Sequence, residues 1–89
     1  MTASGYEYTL CLFKDLVQKG SDGRQITIGK DFEWTAPHRG LVSKGDPCPE
    51  VGARTAVVRF ECGLEPLLVR ISEPGRCAYE AVVSIPAAC

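Results

Sequence analysis

The chain has 89 residues, with ten basic and eleven acidic side chains, a net charge of −1, and five cysteines. Its charges are spread evenly, so no basic stripe exists to follow a phosphate backbone, and a nucleic-acid partner is excluded. No apolar run approaches the roughly 20 residues of a membrane span. A single domain of this size buries only about 60% of the surface its unfolded chain exposes, so a covalent staple is expected. Five cysteines in so short a chain point to disulfides and an oxidising compartment, with at least one thiol left over. The start, Met1-Thr2-Ala3-Ser4-Gly5, lacks the basic region and apolar core of a signal peptide, so the chain reads as a piece of a longer secretory protein. It contains no asparagine and hence no N-glycan acceptor; a sugar handled here belongs to a partner.

In chain order, residues 1–5 read as a linker and residues 6–89 as one domain. Tyr6, Tyr8, Leu10 and Leu12 alternate with mainly polar or small neighbours, the pattern of a half-buried strand, and Cys11 points the other way. Leu16-Val17-Gln18 predicts a second short strand, Gly20-Ser21-Asp22-Gly23 a turn, and Gln25-Ile26-Thr27-Ile28 the returning strand. From Gly29 to Gly52, prolines and glycines punctuate a stretch expected to be irregular, with the lone Trp34 plugging the core. Thr55 to Cys62 is the clearest strand. Ala56, Val58, Phe60 and Cys62 face one way and Arg59 and Glu61 the other, and the same parity puts Arg54 on the apolar side. Leu67 to Ile71 predicts a more buried strand, and Arg76 to Ile85 another, joined through Pro74-Gly75 as the centre of a type II turn. No heptad, internal repeat or amphipathic helix is present, so the fold class is all-β, a sandwich or flattened barrel.

The cysteines have no C-x-x-C pair, which disfavours structural zinc and favours two disulfides among Cys48, Cys62, Cys77 and Cys89. Spacing alone leaves three connectivities open for these four, and Cys11 is the odd one. Catalysis finds no support. Glycoside hydrolysis needs paired carboxylates, but Glu73 has no evident partner, since Glu61 and Glu80 lie on polar faces. His38, the sole histidine, sits in a Pro/Gly loop with no visible nucleophile. What remains is a polar set at an apolar rim: Gln18, Arg54, Glu73 and Tyr79. Singly, each has a bland reading: a solvated strand end, a surface cation, its ion-pair partner, a core phenol. Together they supply the amide and cationic donors, the carboxylate acceptor and the phenol that suit a neutral sugar.

The ordered set Cys11-x-Phe13, Gln18, Trp34, Cys48, Arg54-Thr55, Cys62-Gly63, Ser72-Glu73-Pro74-x-Arg76-Cys77-x-Tyr79 and Pro86-Ala87-Ala88-Cys89 resembles the mannose 6-phosphate receptor homology (MRH) domain. Within that family it is most similar to the glucosidase II β-subunit branch, from about Tyr6 to the last residue. The resemblance implies a flattened β-barrel of two antiparallel sheets, P-type-lectin-like, with bridges Cys48–Cys77 and Cys62–Cys89. It implies a mannose site made of Gln18 and Arg54 on the 2-hydroxyl and Glu73 and Tyr79 on the 3- and 4-hydroxyls. Partners would be high-mannose N-glycans and, through the full-length protein, the glucosidase II α-subunit, in the endoplasmic reticulum lumen. No cofactor and no metal are implied, and the domain would be non-catalytic.

Two departures stand out. The family's partner for Cys11 lies upstream of Tyr6 and is absent, which leaves Cys11 a free thiol; and relatives carry a tryptophan after the cysteine at Cys48, where this chain has Pro49, at one wall of the pocket. The alternatives are a degradation lectin of the endoplasmic reticulum, a mannose 6-phosphate receptor type of domain, or a structural or subunit-docking β domain without sugar binding. Degradation lectins carry a tandem tryptophan in the first strand-loop region, and Phe13 to Gln18 has none.

Overall fold

The structure, a computed structural model, describes residues 1–3 and 5–89; Ser4, within the segment read as a linker, lies outside the described residues. Among the described residues ten strands follow one another: β1 (Thr2–Ala3), β2 (Tyr6–Cys11), β3 (Asp15–Lys19), β4 (Gln25–Ala36), β5 (Arg39–Lys44), β6 (Pro47–Cys48), β7 (Gly52–Ala53), β8 (Thr55–Cys62), β9 (Leu67–Gly75) and β10 (Ala78–Ile85). A short 3-10 turn, Pro86–Ala88, ends the chain. Eight strands form one sheet in the order β1-β2-β3-β4-β5-β8-β10-β9, and β6 and β7 pair as a small second sheet.

The sheet curls on itself because its inward positions are apolar along its whole width. Tyr8, Leu16, Ile28, Ala56 and Tyr79 form one buried cluster. Val42, Val58, Phe60, Val83 and Ile85 form the other, and Leu10 and Leu68, from β2 and β9 near opposite edges, pack against both. Contact between edges that are distant in strand order makes a nearly closed, flattened barrel. Strand β8 shows the alternation plainly, with Ala56, Val58 and Phe60 buried and Val57, Arg59 and Glu61 exposed. Leu16 is wholly buried, so Leu16→Ala should cost roughly 2–5 kcal/mol in a urea titration. A smaller loss would mean the barrel collapses around the deletion.

Four local expectations need correction. Leu67 to Ile71, expected to be more buried, has no buried residue, and Leu67 is 57% exposed, because β9 is the edge of the sheet. The stretch from Gly29 is not irregular: β4 runs on to Ala36 and pairs with β5 as a long hairpin. Its second half is mostly exposed, and register shifts at Gly29/Asp31 and Trp34/Ala36 break the alternation that would have marked it. Trp34 does not plug the core. It is 55% exposed, leaning on Phe60, Phe32 and Phe13 at ring distances of 5.0, 5.2 and 5.6 Å. Pro74 and Gly75 are not the centre of the last turn either; they belong to β9, and Arg76-Cys77 makes the turn, with Cys77 itself left-handed at φ 60°. The Glu73 carboxylate accepts the Cys77 N–H at 2.7 Å and a disulfide fixes the Cys77 side chain, so local bonding overrides the preference for glycine.

One pairing is parallel. Strand β10 lies between β8 and β9 and runs alongside β8 over its whole length, from Ala78↔Thr55 to Ile85↔Cys62. The chain leaves β8 through Gly63–Pro66, returns one strand-width further out as β9, and folds back into the gap. Strand β9 thus serves as the crossover that a parallel pair requires.

Candidate functional site

Gln18, Arg54, Glu73 and Tyr79 come from four different parts of the chain and line one cleft of about 330 Å³ at the end of the barrel. Gln18 follows Leu16 on the inward face of β3, so strand parity carries an amide into the barrel end, where it is 7% exposed. Tyr79 opens the inward face of β10 opposite Ala56 and is buried. Glu73 stands near the end of β9, and Arg54 at the bend between β7 and β8.

Arg54 and Glu73 are not ion-paired with each other among the described residues. The Arg54 Nη1 donates to the carbonyls of Pro47 at 2.8 Å and Asp46 at 3.2 Å, while Glu73 Oε2 is taken by the Cys77 N–H. These contacts hold both side chains and leave functional atoms over. The Arg54 Nε is buried and has no hydrogen-bond partner among the described residues. A buried cationic donor without a protein partner is costly unless water or a ligand completes it. The cleft therefore offers a cationic donor, a carboxylate oxygen, an amide and a phenol within one small space, a set matched to hydroxyls that both donate and accept. Glu73 is the one carboxylate among its lining residues, which leaves no carboxylate pair for acid–base hydrolysis.

Two disulfides frame this end and its opposite. Cys48–Cys77, with Cα atoms 6.4 Å apart, ties the β6–β7 hairpin to the β9–β10 turn, and so joins the segment holding Arg54 to the turn whose Cys77 N–H binds Glu73. Cys62–Cys89, with Cα atoms 4.4 Å apart, fastens the terminal turn to the end of β8. Cys11 is free and exposed. Pro49 is exposed in the β6–β7 hairpin tip and is not among the cleft's lining residues.

The cleft also contains Tyr6, Tyr8 and Ser72, which sequence reasoning left out of the site. The signal for Tyr8 was present: it shares the inward parity of Leu10, and β2–β3 pairing sets it opposite Gln18. Burial raises the Tyr8 phenol above its ordinary value, with Tyr79 and Glu73 adding to the effect. Burial also raises Tyr79, opposed by the neighbouring Arg54 guanidinium and reinforced by Glu73. Both phenols thus stay protonated through the neutral range. The folded state holds these protons more tightly than the unfolded chain, so their contribution is complete below about pH 10 and is lost as pH rises beyond it. Thermal unfolding midpoints should accordingly fall above about pH 10, and less steeply in Tyr79→Phe. An equally steep fall in that variant would assign the effect to other groups.

Comparison with known proteins agrees with this architecture. The structure aligns with the crystal structure of the MRH domain of glucosidase II beta bound to mannose at a TM-score of 0.82 and 28% identity, covering 100% of this chain and 88% of that one. It aligns with the solution structure of the MRH domain of Yos9 complexed with alpha3,alpha6-Man5 at a TM-score of 0.74 and 20% identity, covering 98% and 73%, which is a likeness of fold. A disulfide-stapled flattened barrel with this cleft is an MRH domain. The family model described as glucosidase II beta subunit-like protein matches residues 1–89. The human glucosidase 2 subunit beta is 33% identical over 95 residues, spanning 100% of this chain and 18% of the relative. Its counterpart from Oryza sativa subsp. indica is 37% identical over 86 residues, spanning 94% of this chain and 14% of the relative. The chain belongs to the glucosidase II beta subunit-like family, and it spans less than a fifth of the length of these relatives.

Proposed function

We propose that this chain is a non-catalytic lectin domain that binds non-phosphorylated mannose on high-mannose N-glycans. Residues 6–89 form the lectin domain, and β1 (Thr2–Ala3), from the segment before it, pairs along the edge of its sheet. The observation that carries the reading is Arg54 Nε, a buried donor without a hydrogen-bond partner among the described residues, in a cleft that also holds Glu73, Gln18 and Tyr79. Gln18 and Arg54 take the axial 2-hydroxyl that separates mannose from glucose, and Glu73 and Tyr79 take the 3- and 4-hydroxyls. The mannose-bound relative of the same fold supports a mannose ligand for this fold.

In the full-length protein, in the endoplasmic reticulum lumen, the domain would hold a glycoprotein's glycan close to the glucosidase II catalytic α-subunit. Tethering raises the effective concentration of the glucose to be trimmed without adding a contact at the scissile bond.

A glycan-binding screen with high-mannose and phosphomannosyl glycans side by side tests the proposal. Preference for unphosphorylated high-mannose glycans, competed by free mannose, is the expected result. Preference for phosphomannose would move the domain to the receptor type. No binding at all would favour a structural or subunit-docking domain.

A further inference from the structure

The contacts that orient Arg54 go to three successive residues, Gly45, Asp46 and Pro47, with the exposed Asp46, in the bend between β5 and β6, at their centre. Asp46 grips β4 at two points. Its N–H donates to the Thr27 carbonyl at 2.8 Å, and its Oδ2 accepts the Thr27 N–H at 2.8 Å. Its own carbonyl accepts the Arg54 N–H at 3.1 Å and Arg54 Nη1 at 3.2 Å. The neighbouring Gly45 N–H donates to the Arg54 carbonyl at 3.0 Å. A Cβ at Gly45 would run into the Ile28 carbonyl, so the chain enters Asp46 pressed against β4.

From these contacts we infer that Asp46 is a positioning residue for sugar binding, fixing the Arg54 guanidinium without touching the ligand. The inference rests on the mannose site proposed above. A guanidinium is planar and rigid, so holding Nη1 against the Asp46 and Pro47 carbonyls also sets the direction of Nε. Strand β4 is the right anchor, because Thr27 follows Ile26, which pairs with Gln18 across β3–β4. Asp46 thus locks Arg54 to the strand pair that carries the other donor of the site. Removing its carboxylate frees one of the two points of grip, and the acceptors that hold Nη1 shift with the bend. Asp46 is exposed, so its substitution removes no core packing.

The test uses the chain as it stands. Asp46→Ala should weaken mannose binding about tenfold, whereas Asp46→Asn, which keeps an acceptor for the Thr27 N–H, should stay within about twofold of the unaltered protein. The second readout is the Arg54 Nε–H resonance of the sugar-free protein in 1H–15N spectra. Its exchange with solvent should accelerate in Asp46→Ala and not in Asp46→Asn. Unchanged affinity and unchanged exchange in Asp46→Ala would overturn the inference; so would an equal loss in Asp46→Asn, which would point to the charge rather than the hydrogen bond. Should Asp46→Ala fail to fold, Asp46→Glu carries the test, since it keeps the charge and displaces the acceptor by one methylene. It should weaken binding, and full affinity there would overturn the inference. If the unaltered protein binds no mannose, the site reading fails by itself, while the exchange of Arg54 Nε–H still decides the role of Asp46.

Discussion

Arg54→Ala is expected to reduce mannose binding by at least a hundredfold while the barrel stays folded, the largest single-residue effect at the site. The estimate combines two losses. Each hydrogen bond from a charged donor to the sugar contributes roughly 1.5–3 kcal/mol. The substitution also removes the two guanidinium bonds to the Pro47 and Asp46 carbonyls, which loosens the segment entering β6. Arg54→Lys separates the two, because a lysine keeps the charge but cannot serve the carbonyls and the sugar from one rigid plane. It should remain severely impaired. Circular dichroism together with calorimetric titration checks the prediction, and a variant that binds mannose normally would move the site elsewhere. Glu73→Gln should be milder for the turn, since the amide oxygen can still accept the Cys77 N–H, yet it loses the charged acceptor for a sugar hydroxyl.

The second large effect concerns the Cys48–Cys77 bridge. It spans 29 positions, so replacing both cysteines by serine should lower stability by roughly 3.5 kcal/mol through the loosened unfolded chain. The Cys62–Cys89 bridge spans 27 positions and should cost nearly the same. Their effects on binding should differ sharply. Cys48–Cys77 joins the hairpin beside Pro47 to the turn whose N–H holds Glu73, so its loss lets the cationic and acidic halves of the cleft separate. Cys62–Cys89 fastens the far end of β8. Measured at a temperature where both double variants are folded, mannose affinity should collapse in the first and persist in the second. Equal losses would show that both bridges act only through global stability.

Much of the architecture was legible wherever one face of a strand is buried. Strand β8 announces itself through Ala56, Val58 and Phe60, and carrying its parity back one turn of the pleat put Arg54 beside the apolar rim. The same parity carries Gln18 inward behind Leu16. Legibility ended where strands lie in water. The second half of β4 buries little and is broken by bulges, so nothing in its pattern distinguishes Phe32-Glu33-Trp34 from a loop. Trp34 misled for a related reason: its ring rests on other aromatics at the surface, a packing mode that sequence cannot separate from core insertion. The last turn was placed two residues early, because Pro74-Gly75 carries the local propensity while the Glu73 carboxylate and the disulfide act across space. The contacts of Asp46 with Thr27 were silent for the same reason, since they join residues 19 positions apart.

The insertion of β10 between β8 and β9 has a consequence for how this domain is made. Strand β8 has β5 on one flank, but its other flank stays bare until residues 78–85 are available. A nascent chain emerging from the ribosome therefore carries β8 and β9 without the strand that lies between them in the fold. Closure waits for the last strand to thread into place between them. Contacts spanning this much sequence make folding slow among small domains, in the millisecond-to-second range. Throughout that interval a bare β8 flank is a template for pairing with other chains, so shielding this edge during synthesis guards against misassembly.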